Sequence, residues 1–347
     1  MRRRIVAFVL ASWLAAACGP SAGPSPSAVI VTSTTSAFVV ATPGAPPPTD
    51  TPTIMPQTST AQSTPYDLLR LTNHPARDET PAWSWDGARI TFSSDRTGVY
   101  EIYAVDNDGS DLVQLTEDPS IGFKEDPTWS ASGIIAFSAL FDVSRVFAFN
   151  VKLAEEKPFD LSEPTNEGYP EPLSNWYVDA YSPSWSPDGE KIALIMLDSN
   201  LVRQAFTINP ASGKSTQLTN SSRPVHKPSW SPDGRWIAFS SETEGNEEIY
   251  VIGADGGNMT RLTADSAYDS RPSWSPDSRF IVFSSDRGGS YGLHLMQLDG
   301  TYISRLDTGP GEAFDPAWSP DGRYIAFVSD RDGNAEIYRI DAPVLEP

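Results

Sequence analysis

Carboxylates, a histidine and aromatic residues recur just ahead of a repeated Pro-x-Trp-Ser segment, and this is where the chain could do chemistry. They are Asp78 and Glu79, Lys124 and Glu125, Tyr181, Val225 and His226, Asp269, and Phe314. Two facing carboxylates can work as acid and base, and converging polar and aromatic groups make a ligand site. Short acidic residues in turns also hydrogen-bond loop amides. With 45 Asp plus Glu among 347 residues, a carboxylate pair is common by composition alone. His74, His226 and His294 fall in different registers, so a three-histidine metal site is not expected. Asp106-Asn107-Asp108-Gly109-Ser110 and Asp330-Arg331-Asp332-Gly333-Asn334 are similar to the start of a calcium loop, but Asp111 and Ala335 stand where that loop needs its glycine. No metal and no cofactor is expected.

The elements that place these residues come from a repeat. Pro81-Ala82-Trp83-Ser84, Pro127-Thr128-Trp129-Ser130, Pro183-Ser184-Trp185-Ser186, Pro228-Ser229-Trp230-Ser231, Pro272-Ser273-Trp274-Ser275 and Pro316-Ala317-Trp318-Ser319 are copies, with tryptophans 46, 56, 45, 44 and 44 residues apart. A turn such as Pro232-Asp233-Gly234 follows, then an alternating run such as Ile237-Ala238-Phe239-Ser240, an Asp-Arg turn, a Glu-Ile-Tyr run and a Leu-Thr strand. Four short strands at a period near 44 predict a propeller blade. The Asp-Arg turns read as salt-bridged to the Glu of the next strand. His294 takes a tyrosine position of that strand and reads as structural. The fold class is all-β, a ring of six four-stranded blades. The chain enters the repeats on a closing strand, Leu68 to Thr72, and leaves them after a third strand, Glu336 to Ile340. The two ends are complementary, so the first strand is expected to complete the last blade and remove a free sheet edge.

Over residues 66 to about 341 the Pro-Ser-Trp-Ser-Pro-Asp-Gly…Ile-Ala-Phe-Ser-Ser…Glu-Ile-Tyr…Leu-Thr unit resembles the WD-repeat-like propeller repeat (PD40) of the TolB family. The resemblance implies a propeller that binds partners or ligands at its channel mouth. TolB itself carries an α/β domain ahead of its ring, a place taken here by a different kind of segment. Prolyl-oligopeptidase-like propellers are joined to a hydrolase domain, which does not follow the repeats here. Neither TolB–Pal membership nor peptidase activity is therefore implied.

That preceding segment has two parts. Arg2, Arg3 and Arg4 followed by an apolar run from Ile5 to Ala17 have signal-peptide form and are too short to span a bilayer. Ala15-Ala16-Ala17-Cys18-Gly19 is similar to a bacterial lipobox, with Ala15 where leucine is usual. The resemblance implies lipidation of Cys18 and anchoring on the extracytoplasmic face of a cell membrane. The alternative is ordinary cleavage leaving a free thiol. Residues 19–65 hold ten prolines, seventeen Ser or Thr and one charge, Asp50. Such a composition cannot bury enough apolar surface to offset its ordering entropy, so it reads as a disordered tether. The domains are thus a signal peptide at 1–17, a lipidated tether at 18–65 and a propeller at 66–347.

Alternation of strand direction sorts the loops into two faces. The inter-blade loops and those between second and third strands share a mouth face; the Pro-Asp-Gly turns occupy the opposite, turn face. The mouth face receives Asp78, Glu79, Glu125, Tyr181, His226, Asp269 and Phe314. The interval from closing-strand leucine to tryptophan is 12 or 14 residues except between Leu161 and Trp185, where it is 24. The extra loop brings Trp176 and Tyr177, aromatic types that often anchor partners. The net charge of −20 and a pI near 4.4 exclude nucleic acid as main partner. The expected function is a monomeric, membrane-tethered envelope scaffold that binds a protein or a ligand, with a protein or peptide as the expected partner. The rival is an envelope enzyme of lyase or lactonase type with its site at the channel mouth.

Overall fold

Serine and aspartate build the turns on which each blade depends. In the first blade Ser84 Oγ donates to Asp86 Oδ1 at 2.7 Å and accepts from the Arg89 amide at 2.9 Å; Ser231 with Asp233 and Ser319 with Asp321 repeat the bond at 2.6 Å. The glycine that follows has φ of +69 to +76° in the four Asp-Gly copies of this turn, a region glycine enters without a Cβ penalty. The structure is a computed structural model that describes residues 67–117, 122–140, 144–150, 159–160 and 180–345. Cys18, Trp176 and Tyr177 lie outside the described residues.

All described regular structure is strand. The chain begins with β1 (Leu69–Arg70). Blade 1 is β2 (Asp78–Trp83), β3 (Arg89–Ser94), β4 (Glu101–Asp106) and β5 (Val113–Gln114). Blade 2 is β6 (Phe123–Trp129), β7 (Ile134–Leu140), β8 (Ser144–Asn150) and β9 (Phe159–Asp160). Blade 3 is β10 (Ala180–Trp185), β11 (Ile192–Leu197), β12 (Arg203–Asn209) and β13 (Lys214–Gln217). Blade 4 is β14 (Val225–Trp230), β15 (Trp236–Ser241), β16 (Glu248–Gly253) and β17 (Thr260–Arg261). Blade 5 is β18 (Asp269–Trp274), β19 (Phe280–Ser285), β20 (Gly292–Gln297) and β21 (Ser304–Arg305). Blade 6 is β22 (Ala313–Trp318), β23 (Tyr324–Ser329) and β24 (Glu336–Asp341), completed by β1.

The expected closure is therefore present. Leu69 pairs with Arg339 and Arg70 with Tyr338, and the Leu71 amide continues the ladder to the Ile337 carbonyl at 2.8 Å. Thr72 Oγ1 and Arg70 both donate to the Glu336 carboxylate, at 2.6 and 2.9 Å. The same threonine–glutamate bond closes blade 4, Thr263 to Glu248 at 2.6 Å, with Arg261 on the same carboxylate at 2.8 Å.

Blade 1 departs from that scheme and shows why the Asp-Arg turns need a correction. Gln114 stands in register where Arg261 and Arg70 stand, so Glu101 takes its cation from the next blade: fully buried Lys124, at 2.8 Å. The glutamates thus draw their cation from the closing strand or, in blade 1, from the next blade. The turn arginines reach elsewhere: Arg96 donates to both oxygens of Asp78 at 2.9 Å, and Arg287 to Asp269 at 2.5 Å.

The core lies between adjacent blades. Trp83, Ile90, Phe92 and Val105 of blade 1 pack on Ala326, Val328 and Ile337 of blade 6. Tryptophan indoles stitch neighbours together: Trp83 Nε1 donates to Ala317 O at 2.9 Å, and Trp274 Nε1 to Ser229 O at 3.0 Å. His294 packs on Phe283 with ring centroids 5.9 Å apart and planes tilted by 35°, in the place where Tyr103 stacks on Phe92 and Tyr250 on Phe239, which accounts for a buried histidine in a tyrosine position.

Candidate functional site: the channel and its mouth

The inner strand of each blade leaves one edge facing the ring axis, and proline blunts it because proline has no amide hydrogen to offer. Ahead of each proline the register slips, as between Glu79 and Ala82 or between His226 and Ser229. The residue at the slip takes positive φ: Thr80, Asp126, Ser182, Lys227, Arg271 and Asp315 lie between +47 and +57°. Six non-glycine residues in this sparsely allowed region, one per blade, are a repeated bulge that turns a side chain toward the axis.

Those side chains meet. Lys227 of blade 4 reaches across to Asp126 of blade 2, which also accepts from Ser182 Oγ of blade 3 at 2.7 Å. Arg271 pairs with Asp315. Together with the six Pro-x-Trp segments they line a channel of about 620 Å³ that runs to Pro187, Pro232, Pro276 and Pro320 on the turn face. Trp85 stands there, half exposed, in the only one of these turns that begins with tryptophan. Among the described residues, none of those expected at the mouth lines this channel; its charged groups, Asp126, Lys227, Arg271 and Asp315, come from the bulge position.

The mouth face is built from the residues one position before the bulge. Glu79, Glu125, Tyr181, His226, Ser270 and Phe314 occupy equivalent registers, opposite Ser93, Ser138, Ile195, Ser240, Ser284 and Val328. So Glu79, Glu125, Tyr181, His226 and Phe314 share one ring. Asp78 and Asp269 do not join it. They lie one residue earlier, where alternation points the side chain between blades, and both are fully buried in their arginine pairs.

The electrostatics couple mouth and channel. Burial, then Asp126 and Glu79, push the Glu125 carboxyl above its usual range, against the pull of Lys227 and Arg271. Burial also raises Glu247, which accepts from Ser240 Oγ at 2.5 Å and feels Arg271 and Lys227. Asp126 is held low although burial opposes it, because Lys227 and Ser182 favour the charged form. Burial and the nearby Arg203 lower His226, with Glu242 at 3.8 Å pulling the other way. Arg203 lies 5.2 Å over the Tyr181 ring. The mouth residues Glu79 and Glu125 thus lie in the field of two axial ion pairs, Lys227 with Asp126 and Arg271 with Asp315.

Sequence reasoning missed the axial residues Asp126, Lys227, Arg271 and Asp315. The signal was available: each immediately precedes a repeat proline on the edge facing the axis. Among the described residues no group of three His, Cys, Asp or Glu is placed to hold a metal ion. Gly288-Gly289-Ser290-Tyr291-Gly292 has the spacing of a hydrolase nucleophile elbow, but it forms the hairpin between β19 and β20, where an elbow requires a strand-to-helix turn.

A family profile described as TolB beta propeller domain matches residues 173–294. The repeats within that span match the TolB propeller type. An uncharacterized protein of Agrobacterium fabrum is 30% identical over 135 residues, a match covering 36% of this chain and 42% of that protein. TolB from Acinetobacter baumannii superposes with a TM-score of 0.59 at 18% identity, over 75% of this chain and 65% of that one. A gluconolactonase of Xanthomonas campestris gives 0.59 at 14% identity, over 80% and 90%. At these identities the structural matches establish the fold. The same propeller fold is found in a TolB and in a gluconolactonase, so fold alone does not choose a function.

Proposed function

We propose that this chain is an extracytoplasmic, membrane-tethered TolB-like propeller that works as a scaffold for a protein or peptide partner bound at its mouth face. The carrying observation is the single ring of Glu79, Glu125, Tyr181, His226 and Phe314 above the axial cations Lys227 and Arg271, joined by electrostatic coupling across blades. Mixed charge with two aromatic side chains suits an extended polar surface more than a small apolar ligand. Trp176 and Tyr177 stand four and three residues ahead of β10 in the sequence and are included in the proposed surface on that ground. The anchor is Cys18, and the partner is sought in the cell envelope.

The test is capture from envelope extracts by a soluble protein beginning at Gln62. Phe314→Ala together with Glu125→Gln should reduce capture at least tenfold, since central anchors commonly contribute 1–2 kcal/mol or more. Asp188→Asn with Asp233→Asn, on the turn face, should leave it intact. The reverse pattern would place the partner on the turn face. A second reading, an enzyme of lyase or lactonase type, draws on the raised carboxyls of Glu125 and Glu247, which suit proton transfer. Turnover of a sugar lactone or uronide oligomer, lost in Glu125→Gln and Glu247→Gln, would establish it.

A further inference from the structure

Three blades carry an arginine in the turn between second and third strands, in a shared pose. Arg96, Arg287 and Arg331 donate from Nε to the serine two residues before, at 2.9, 2.9 and 3.0 Å. Each guanidinium lies over the blade's phenylalanine, at 5.5, 5.3 and 5.4 Å from Phe92, Phe283 and Phe327. Arg96 and Arg331 also lie 4.5 Å over Tyr103 and Tyr338. In blades 1 and 5 the terminal nitrogens face a buried aspartate, Asp78 or Asp269, at the first residue of the inner strand. Blade 4 lacks both partners together, with Val225 and Thr243 in their places.

Blade 6 keeps the cation and drops the anion. Ala313 pairs with Ser329 as Asp78 pairs with Ser94 and Asp269 with Ser285. Both terminal nitrogens of Arg331 are enclosed and have no hydrogen-bond partner. The carboxylates nearby are engaged elsewhere: Asp330 accepts from the Glu312 amide at 2.8 Å, and Asp332 from Tyr338 Oη at 2.5 Å and Arg70 at 3.2 Å. Gly309 closes over the group, since a Cβ there would stand 3.3 Å from Nη1. A guanidinium cannot shed its proton at any ordinary pH, so burial without an anion is costly and has no titration escape.

We propose that Arg331 binds a small free carboxylate anion in the place that Asp78 and Asp269 fill in the sister blades. Formate is the minimal version of the missing group: planar, monovalent, and able to take two parallel N–H bonds as Asp78 does from Arg96. The ligand replaces a side chain's functional group, so it belongs to blade 6 and is independent of the mouth.

The test is calorimetry of the protein beginning at Gln62, titrated with sodium formate at ionic strength held constant by sodium chloride. The melting temperature should rise saturably, by about 2 to 4 °C at a tenfold excess over the dissociation constant. Ala313→Asp should melt higher without formate and lose the response, because it restores the sister-blade pair. Arg331→Gln should lose the response too. Line broadening of ¹³C-formate by the parent protein, absent with Arg331→Gln, reads the contact directly. No saturable rise and no broadening with the parent protein would overturn the proposal. So would an unchanged formate response in Ala313→Asp.

Discussion

Glu125 and Asp126 are neighbours with opposite titration behaviour, and the difference is testable. The Glu125 carboxyl titrates above its usual 4.5 in the folded chain, so the folded state holds that proton more tightly than the unfolded one. Its effect is absent below the unfolded value and becomes destabilising as pH rises through it toward the folded value. Glu125→Gln should therefore melt with the parent protein near pH 3.5 and above it at pH 7. Asp126 is the reverse case: its depressed value supplies stability above the unfolded value, lost as pH falls through the folded one. Asp126→Asn strands Lys227 and should cost about 2 kcal/mol at neutral pH, the gap closing in acid. Melting curves of both variants at the two pH values decide the matter. The sequence made Glu125 visible because it sits among residues of obvious chemistry. It marked Asp126 only by position, immediately before a repeat proline, and not by residue type, since Thr, Lys and Arg fill the same place in other blades.

At the scale of the element, the tryptophans separate by what their indoles meet. Trp274 donates to Ser229 O, whereas the buried Nε1 of Trp230 has no partner. Trp274→Phe loses a hydrogen bond; Trp230→Phe removes an unsatisfied donor. The first should cost about 1 kcal/mol more than the second in denaturant unfolding. The closing strand offers a larger effect. A protein starting at Asn73 loses the β1 ladder, the buried Leu71 and two of the donors to Glu336, Arg70 and Thr72, and should lose several kcal/mol relative to one starting at Gln62. Equal melting temperatures would show that β1 does not close the ring. Strand number, order and closure were legible because every unit repeats the same turn chemistry and alternation. The ion-pair wiring was less so. Alternation fixes which way Asp78 points, but only the assembled blade shows that Arg96 waits there, and that Lys124 covers for Gln114.

For the whole molecule, the ring is a stable support whose chemistry is set by departures from its own repeat. The mouth is a single register read around six blades, so its composition varies while its geometry does not. That is why the fold could be read from the sequence with little loss and the ligand could not. The anchoring proposal has its own check: Cys18→Ser should move the protein from the membrane to the soluble fraction, with an unmodified intact mass. A native protein already carrying an unmodified Cys18 would end it. Two acyl chains at about 0.8 kcal/mol per buried methylene are ample to retain the native form.

Closure by β1 also determines how the molecule bears mechanical load. Whatever precedes residue 69 is joined covalently to that strand, so a tug on the leading segment falls first on two ladder pairs and on Glu336. Since β1 is the outermost strand of blade 6, the pull works at the circumference and leaves the six inner strands unloaded. Under rising tension the ring should yield as a clasp does, releasing the strap before any blade unravels.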